Sequence, residues 1–208
     1  MVAICCHSAD FRWIGGRWWG ISVSYSQKWY SYSAGGKRHW VNFWGEGGNM
    51  QGVQFGVPVH PVIWRGLGVS TGVFCEIYSC RNKAYTARIE DAAMYFPLHF
   101  MWQYRLSSKA SFHVTTGPGL TVGLVQRVID PTDSKAHQYY MKFNQGSPRR
   151  VNAYWEAGLG ATVGIFRFNA VYSIGLTPSE RFLSTMGEMT RFYSATPTRL
   201  TVSAALVF

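Results

Sequence analysis

The sequence predicts an all-β fold: an eight-stranded antiparallel up-and-down β-barrel that crosses a membrane with its strands. Three observations carry this. Alternation of apolar and small or polar residues with period two recurs along the chain, and no helical period of any length competes with it. The 208 residues are 47% apolar and 16% aromatic with 22 glycines, yet only 14% are charged, against about 25% in an ordinary soluble domain. The connections between the alternating segments sort strictly into long and short. No stretch approaches the ~20 apolar residues of a membrane helix. A chain of this composition that spans a bilayer must therefore satisfy its backbone between strands. Residues 1–15 read as an N-terminal segment and 16–208 as the barrel.

The strands follow in order. Trp19, Ile21, Val23 and Tyr25 face away from Gly20, Ser22, Ser24 and Ser26. Val53, Phe55, Val57 and Val59 oppose Gln54, Gly56, Pro58 and His60. Val69, Thr71, Val73, Cys75 and Ile77 oppose Gly72, Phe74 and Glu76. Met94, Phe96, Leu98, Phe100 and Trp102 oppose Tyr95, Pro97, His99, Met101 and Gln103. From Ser111 to Val128, Phe112, Val114, Leu120, Val122 and Leu124 share one face, while His113, Thr115, Gly117, Gly119, Thr121 and Gly123 share the other. From Asn152 to Val163, Trp155, Leu159 and Val163 alternate with Tyr154, Glu156, Gly158 and Gly160. Phe168, Ala170, Tyr172, Ile174 and Leu176 form the seventh apolar row. Leu200, Val202, Ala204, Leu206 and Phe208 form the eighth, opposite Thr201, Ser203, Ala205 and Val207. Pro58, Pro61 and Pro97 cost ladder hydrogen bonds and predict irregularities.

Short connections fall near Trp64 to Gly68, Leu106 to Lys109 and Gly164 to Arg167. Long ones run from Tyr30 to Met50, Arg81 to Ala87, Ile129 to Arg150 and Pro178 to Pro197. This is the wiring of outer-membrane barrels, with tight turns at the periplasmic end and loops outside. Eight strands enclose only enough room for side chains. The Gly, Ser and Thr face therefore fits the lumen, and the Phe, Leu, Trp and Val face fits lipid. Aromatics cluster near the strand ends, as interfacial belts do. An aqueous pore is excluded by the same dimensions.

Charge bears on partners. Lys plus Arg is 20 and Asp plus Glu is 10, a net +10, of which +8 falls from Lys28 to Met50, Arg81 to Arg88 and Arg127 to Asn152, the long connections with their flanking strand ends. No basic helix, zinc-finger spacing or RNA-binding signature accompanies it, so nucleic acid is not the expected partner. Membrane lipid and lipopolysaccharide are, with Lys37, Arg38, Arg81, Lys83, Arg149 and Arg150 placed to meet outer-leaflet phosphates. The loops also carry Trp40, Phe43, Trp44, Tyr139, Tyr140 and Phe143, residue types enriched at contact hot spots, which points to protein partners in the outer membrane. Cys5, Cys6, Cys75 and Cys80 lack metal-site spacing, and no metal or other cofactor is expected. Met1 to Ala9 is short and apolar without a basic start; it reads either as the remnant of a signal peptide or as a plain terminus.

Chemistry is hard to find. His60, His99 and His113 and the acids Glu76, Asp91 and Glu156 sit on predicted inward faces, but no nucleophile–base signature joins them. The expectation is that lumenal Glu76, Glu156, Arg88, Arg105 and the histidines pair with one another. A non-enzymatic barrel is expected. The alternatives are a lipid-acting barrel enzyme, with His99 and His113 as its candidate residues, and a stand-alone structural barrel.

The second half, from Gln51 to Phe208, resembles the small outer-membrane β-barrel family of Bacteroidota, the PorT-like and OmpX-like barrels. Met94 to Phe100 resembles its Y-x-x-I-P-L-L strand, Thr116 to Leu120 its A-G-P strand, and Glu156 to Ala161 its G-x-x-x-G-A-G strand. Tyr172 to Thr177 resembles Y-x-x-G-L-T, and Glu76 with Tyr78 resembles an acidic–aromatic pair before the second outer loop. The chain end, with Leu206 and Phe208, resembles the signal read by the barrel-insertion machinery. The resemblance implies an outer-membrane barrel in a Gram-negative bacterium, of a kind that includes subunits of larger outer-membrane assemblies.

Overall fold

The computed structural model describes residues 18–34, 37–40, 49–81, 88–130, 137–140, 149–178, 180–186 and 189–208. The N-terminal segment 1–15, Phe43, Trp44, Lys83 and Phe143 lie outside the described residues. Strands and turns make up the described chain. In order they are β1 (Gly20–Ala34), β2 (Lys37–Trp40), β3 (Met50–Val59), β4 (Val62–Trp64), β5 (Leu67–Arg81), β6 (Arg88–Arg105), β7 (Ala110–Asp130), β8 (His137–Tyr140), β9 (Val151–Val163), β10 (Phe166–Gly175), β11 (Glu180–Met186) and β12 (Met189–Val207).

Eight of these form the wall. Neighbours pair antiparallel in the order β1-β3-β5-β6-β7-β9-β10-β12, and β12 returns to β1. Closure runs in unbroken register from Gly20↔Val207 to Ser31↔Thr196. Beyond it the Phe208 amide donates to Trp19 O at 2.8 Å, and their rings meet with centroids 5.2 Å apart. Closure leaves no unpaired edge in the eight-stranded wall.

The alternation predicted for each strand is the alternation seen. Val23, Leu98, Phe100 and Leu159 stand exposed on the outer surface, while Ser24, His99, Thr115 and Glu156 are buried inside. One slip escaped the period-two reading. The β6–β7 register shifts between Ala92 and Ala93, which pair with Val125 and Gly123 and leave Leu124 as the extra residue. Leu124 and Val125 are therefore both exposed, and Gln126 turns inward.

The short connections are tight. Arg65 and Gly66, both at positive φ (44° and 86°), turn β4 into β5. Gly164 and Ile165 turn β9 into β10, and residues 106–109 join β6 to β7. The wall before the first turn breaks at His60 and Pro61, where β3 ends and β4 begins. At Pro97 the irregularity is a gap in the β5–β6 ladder between Thr71↔Leu98 and Phe74↔Tyr95. The Thr71 hydroxyl donates to Pro97 O across it at 2.7 Å.

Candidate functional site

The lumen is filled in three tiers. At the loop end, Tyr30, Met50, Tyr78, Cys80 and Ala195 form a buried apolar cluster, with Ile89 packed against it. Just beneath, the Lys28 ammonium sits 3.2 Å from Asp91 Oδ2 and 3.9 Å from the centre of the Tyr78 ring.

The middle tier is ionic. The Arg199 guanidinium donates to Glu76 Oε1 and, at 2.7 Å, to Glu156 Oε1. Gln54 donates to Glu76 at 2.8 Å. Glu156 also accepts from Ser173 at 2.7 Å and from the Tyr95 hydroxyl, and His99 Nε2 lies 2.6 Å from it. The Tyr95 and Tyr154 rings flank the guanidinium at 4.3 and 5.0 Å. Glycine makes the space: a Cβ on Gly119 would come within 2.6 Å of the Glu156 carboxylate. One guanidinium and several neutral donors engage the two carboxylates here, as burial of charge requires, while Glu76 Oε2 is buried without a hydrogen-bond partner among the described residues.

The lowest tier holds His60, Ser70, His113, Asn169, Met101 and Arg167. His60 Nδ1 lies 2.9 Å from Ser70 Oγ, and His113 Nε2 lies 2.5 Å from Asn169 Oδ1. A cavity of about 60 Å³ separates this tier from the ionic one, and a vestibule of about 940 Å³ opens below it at the turn end.

The predicted inward positions of His60, His99, His113, Glu76, Asp91 and Glu156 are thus where the structure has them. The expected pairing needs correction. Arg88 belongs to the loop-end surface, where its half-exposed side chain meets Glu90 at 3.1 Å and Ser79. Lumenal Arg105 ends β6 exposed at the vestibule. The cation that bridges Glu76 and Glu156 is Arg199, and Arg167 is the second lumenal arginine that the pairing left out. Both were legible in principle. Extending the alternation by one residue below Leu200 and below Phe168 turns each inward. His99 and His113 do not converge on a lipid-facing site: each is buried and held by a lumenal neighbour.

The loop-end residues fall on ribbons. β1 and β12 part above Ser31 and Thr196; β1 then pairs with β2, and β12 with β11. β7 likewise continues into a ribbon with β8. Lys37, Arg38 and Trp40 lie on β2, and Tyr139 and Tyr140 on β8. Arg81 ends β5, and Arg149 and Arg150 precede β9. Lys37, Arg149 and Arg150 are exposed, and all of these positions gather at one end of the barrel. At the other end, Trp18, Trp19, Trp64, Trp102, Tyr104, Phe166 and Phe208 stand exposed near the turns.

An apolar exterior over a closed wall, an aromatic girdle and a polar, side-chain-filled lumen define an integral membrane β-barrel of the small, eight-stranded class. No family model and no curated protein matches the chain. Among solved structures it is similar to Ail, the attachment invasion locus protein of Yersinia pestis, crystallised with the heparin analogue sucrose octasulfate. That likeness has 10% identity and a TM-score of 0.47, over 92% of this chain and 99% of that one. It is also similar to the outer membrane protein AlkL, solved in lipid bilayers (13% identity, TM-score 0.44, 100% and 96% covered). A third is Neisserial surface protein A (7% identity, TM-score 0.40, 90% and 97% covered).

Proposed function

We propose that this chain is a non-enzymatic β-barrel of the outer membrane of a Gram-negative bacterium, and that it serves as a partner-binding subunit of a larger outer-membrane assembly. The observation that carries the reading is the filled lumen set beside the loop-end ribbons. An interior plugged by the Glu76–Arg199–Glu156 network offers no path for a solute. What the fold presents instead is a rigid wall that carries three strand ribbons beyond its loop end. Trp40, Tyr139 and Tyr140 on those ribbons are anchor types for a protein partner. Phe43, Trp44 and Phe143 extend the same set in sequence. Lys37, Arg38, Arg81, Lys83, Arg149 and Arg150 would meet lipopolysaccharide phosphates around that contact. Leu206 and Phe208, exposed at the end of β12, are the proposed insertion signal. Affiliation with the Bacteroidota barrels rests on the strand motifs.

The test is extraction of the tagged protein from its native membrane in mild detergent, followed by identification of what co-purifies. Stoichiometric outer-membrane proteins, lost from a Trp40→Ala, Tyr139→Ala, Tyr140→Ala triple variant, are expected. A solitary monodisperse barrel would sink the assembly reading.

A further inference from the structure

Three basic side chains are buried in the described lumen, and they are not treated alike. Lys28 has Asp91, and Arg199 has Glu76 and Glu156. Arg167 is 4% exposed and has no carboxylate among the described residues. Its Nη2 donates to Met101 Sδ at 3.0 Å, and its Nε reaches Asn169 Oδ1 only at 3.5 Å. A guanidinium carries five donors, and a buried one costs several kcal/mol unless an anion or a full set of acceptors meets it.

Arg167 lines the vestibule at the turn end. So do Arg105 and Lys109, exposed at its rim, and His60, whose Nε2 is buried without a partner among the described residues. Gln103 and Ser111, bonded to each other at 2.8 Å, add neutral donors. No Asp or Glu among the described residues lines this space. Its surroundings therefore combine an uncompensated buried cation, two exposed cations at the mouth and an opening large enough for a small solute or a headgroup.

We propose that this vestibule binds a phosphoryl-type oxyanion. Arg167 receives two of the oxygens in its fork, and Arg105 and Lys109 draw the anion in from the rim. The group reaches the site either on a free solute or on the headgroup of an anionic phospholipid in the leaflet at the turn end. The chemistry at Arg167 is the same in both cases.

Full-length protein refolded in non-ionic detergent, titrated calorimetrically with inorganic phosphate and with pyrophosphate, tests the site. Its folded state is checked by circular dichroism and by its shifted electrophoretic mobility without heating. Binding is expected to weaken at least tenfold in Arg167→Gln and severalfold in Arg105→Gln/Lys109→Gln. It should be unchanged in Arg65→Gln, whose side chain lies over Trp64 outside the vestibule. The double variant at exposed positions keeps the test decisive should Arg167→Gln fail to fold. Parallel nanodiscs of phosphatidylglycerol or phosphatidylcholine separate the two sources. Phosphate binding in detergent assigns the free solute. Arg167- or rim-dependent enrichment of phosphatidylglycerol around the protein, without phosphate binding, assigns the lipid. Absence of both, or anion binding that is indifferent to Arg167, Arg105 and Lys109, overturns the proposal. So does equal loss in Arg65→Gln.

Discussion

Arg199 is the residue on which the interior turns. Its charge is shared by two buried carboxylates that would otherwise face each other in the lumen without a guanidinium between them. Removing one partner of a buried ionic group leaves uncompensated charge, which costs about 3–5 kcal/mol. Arg199→Met should therefore lower the barrel's unfolding free energy by about that amount, read from urea titrations in lipid vesicles. A loss below about 1 kcal/mol would show the network to be dispensable. Ser24 is the opposite case. Its hydroxyl is buried without a partner among the described residues, so Ser24→Ala should stay within about 0.5 kcal/mol of the parent. Inward placement of Glu76, Glu156 and His99 was legible from parity. Who pairs with whom was not, because Arg199 and Glu76 lie 123 residues apart in the chain.

At the scale of elements, the turns are where local sequence and geometry agree least comfortably. Arg65 holds a positive φ that favours Gly or Asn, beside Gly66, where an added Cβ would collide with Gln103 O. Arg65→Asn should stabilise the barrel by a few tenths to about 1 kcal/mol. Gly66→Ala should destabilise it by about 1–3 kcal/mol. The two melting midpoints must move in opposite directions for the turn assignment to hold. Strand ends were read less well than strand existence. β12 begins at Met189 rather than near Leu200, and β1 continues to Ala34. The reason is physical: in the ribbons beyond the lipid, neither face meets a uniform medium, so period-two patterning weakens while pairing continues.

The whole molecule is defined by which face meets lipid and which end meets which compartment. Leu159 stands 57% exposed, about halfway along its strand, paired across to Val114 and Ala170. A cationic side chain facing lipid near the bilayer midplane costs about 2–4 kcal/mol. Leu159→Arg should lose that much in vesicle-based unfolding, whereas a water-soluble barrel would register almost none. For orientation, a cysteine in place of exposed Arg149 should react with an impermeant maleimide on intact cells, and one in place of Ser108 only after the outer membrane is opened. The reverse pattern would place the loops in the periplasm.

The number of wall strands, the lipid-facing rows and the alternation of turns with loops were determined by the sequence alone. Each is a local consequence of side chains alternating across a pleated strand between two media. What only the tertiary structure decided is long-range. The register in which β12 closes on β1, the bulge at Leu124, the pairing of Arg199 with Glu76 and Glu156, and the absence of any acid around Arg167 among the described residues all depend on how eight strands stagger around one axis. Period-two patterning assigns a residue to a face. It carries no information about depth along the barrel or about which inward side chains share a level, and those are set by the shear of the closed wall.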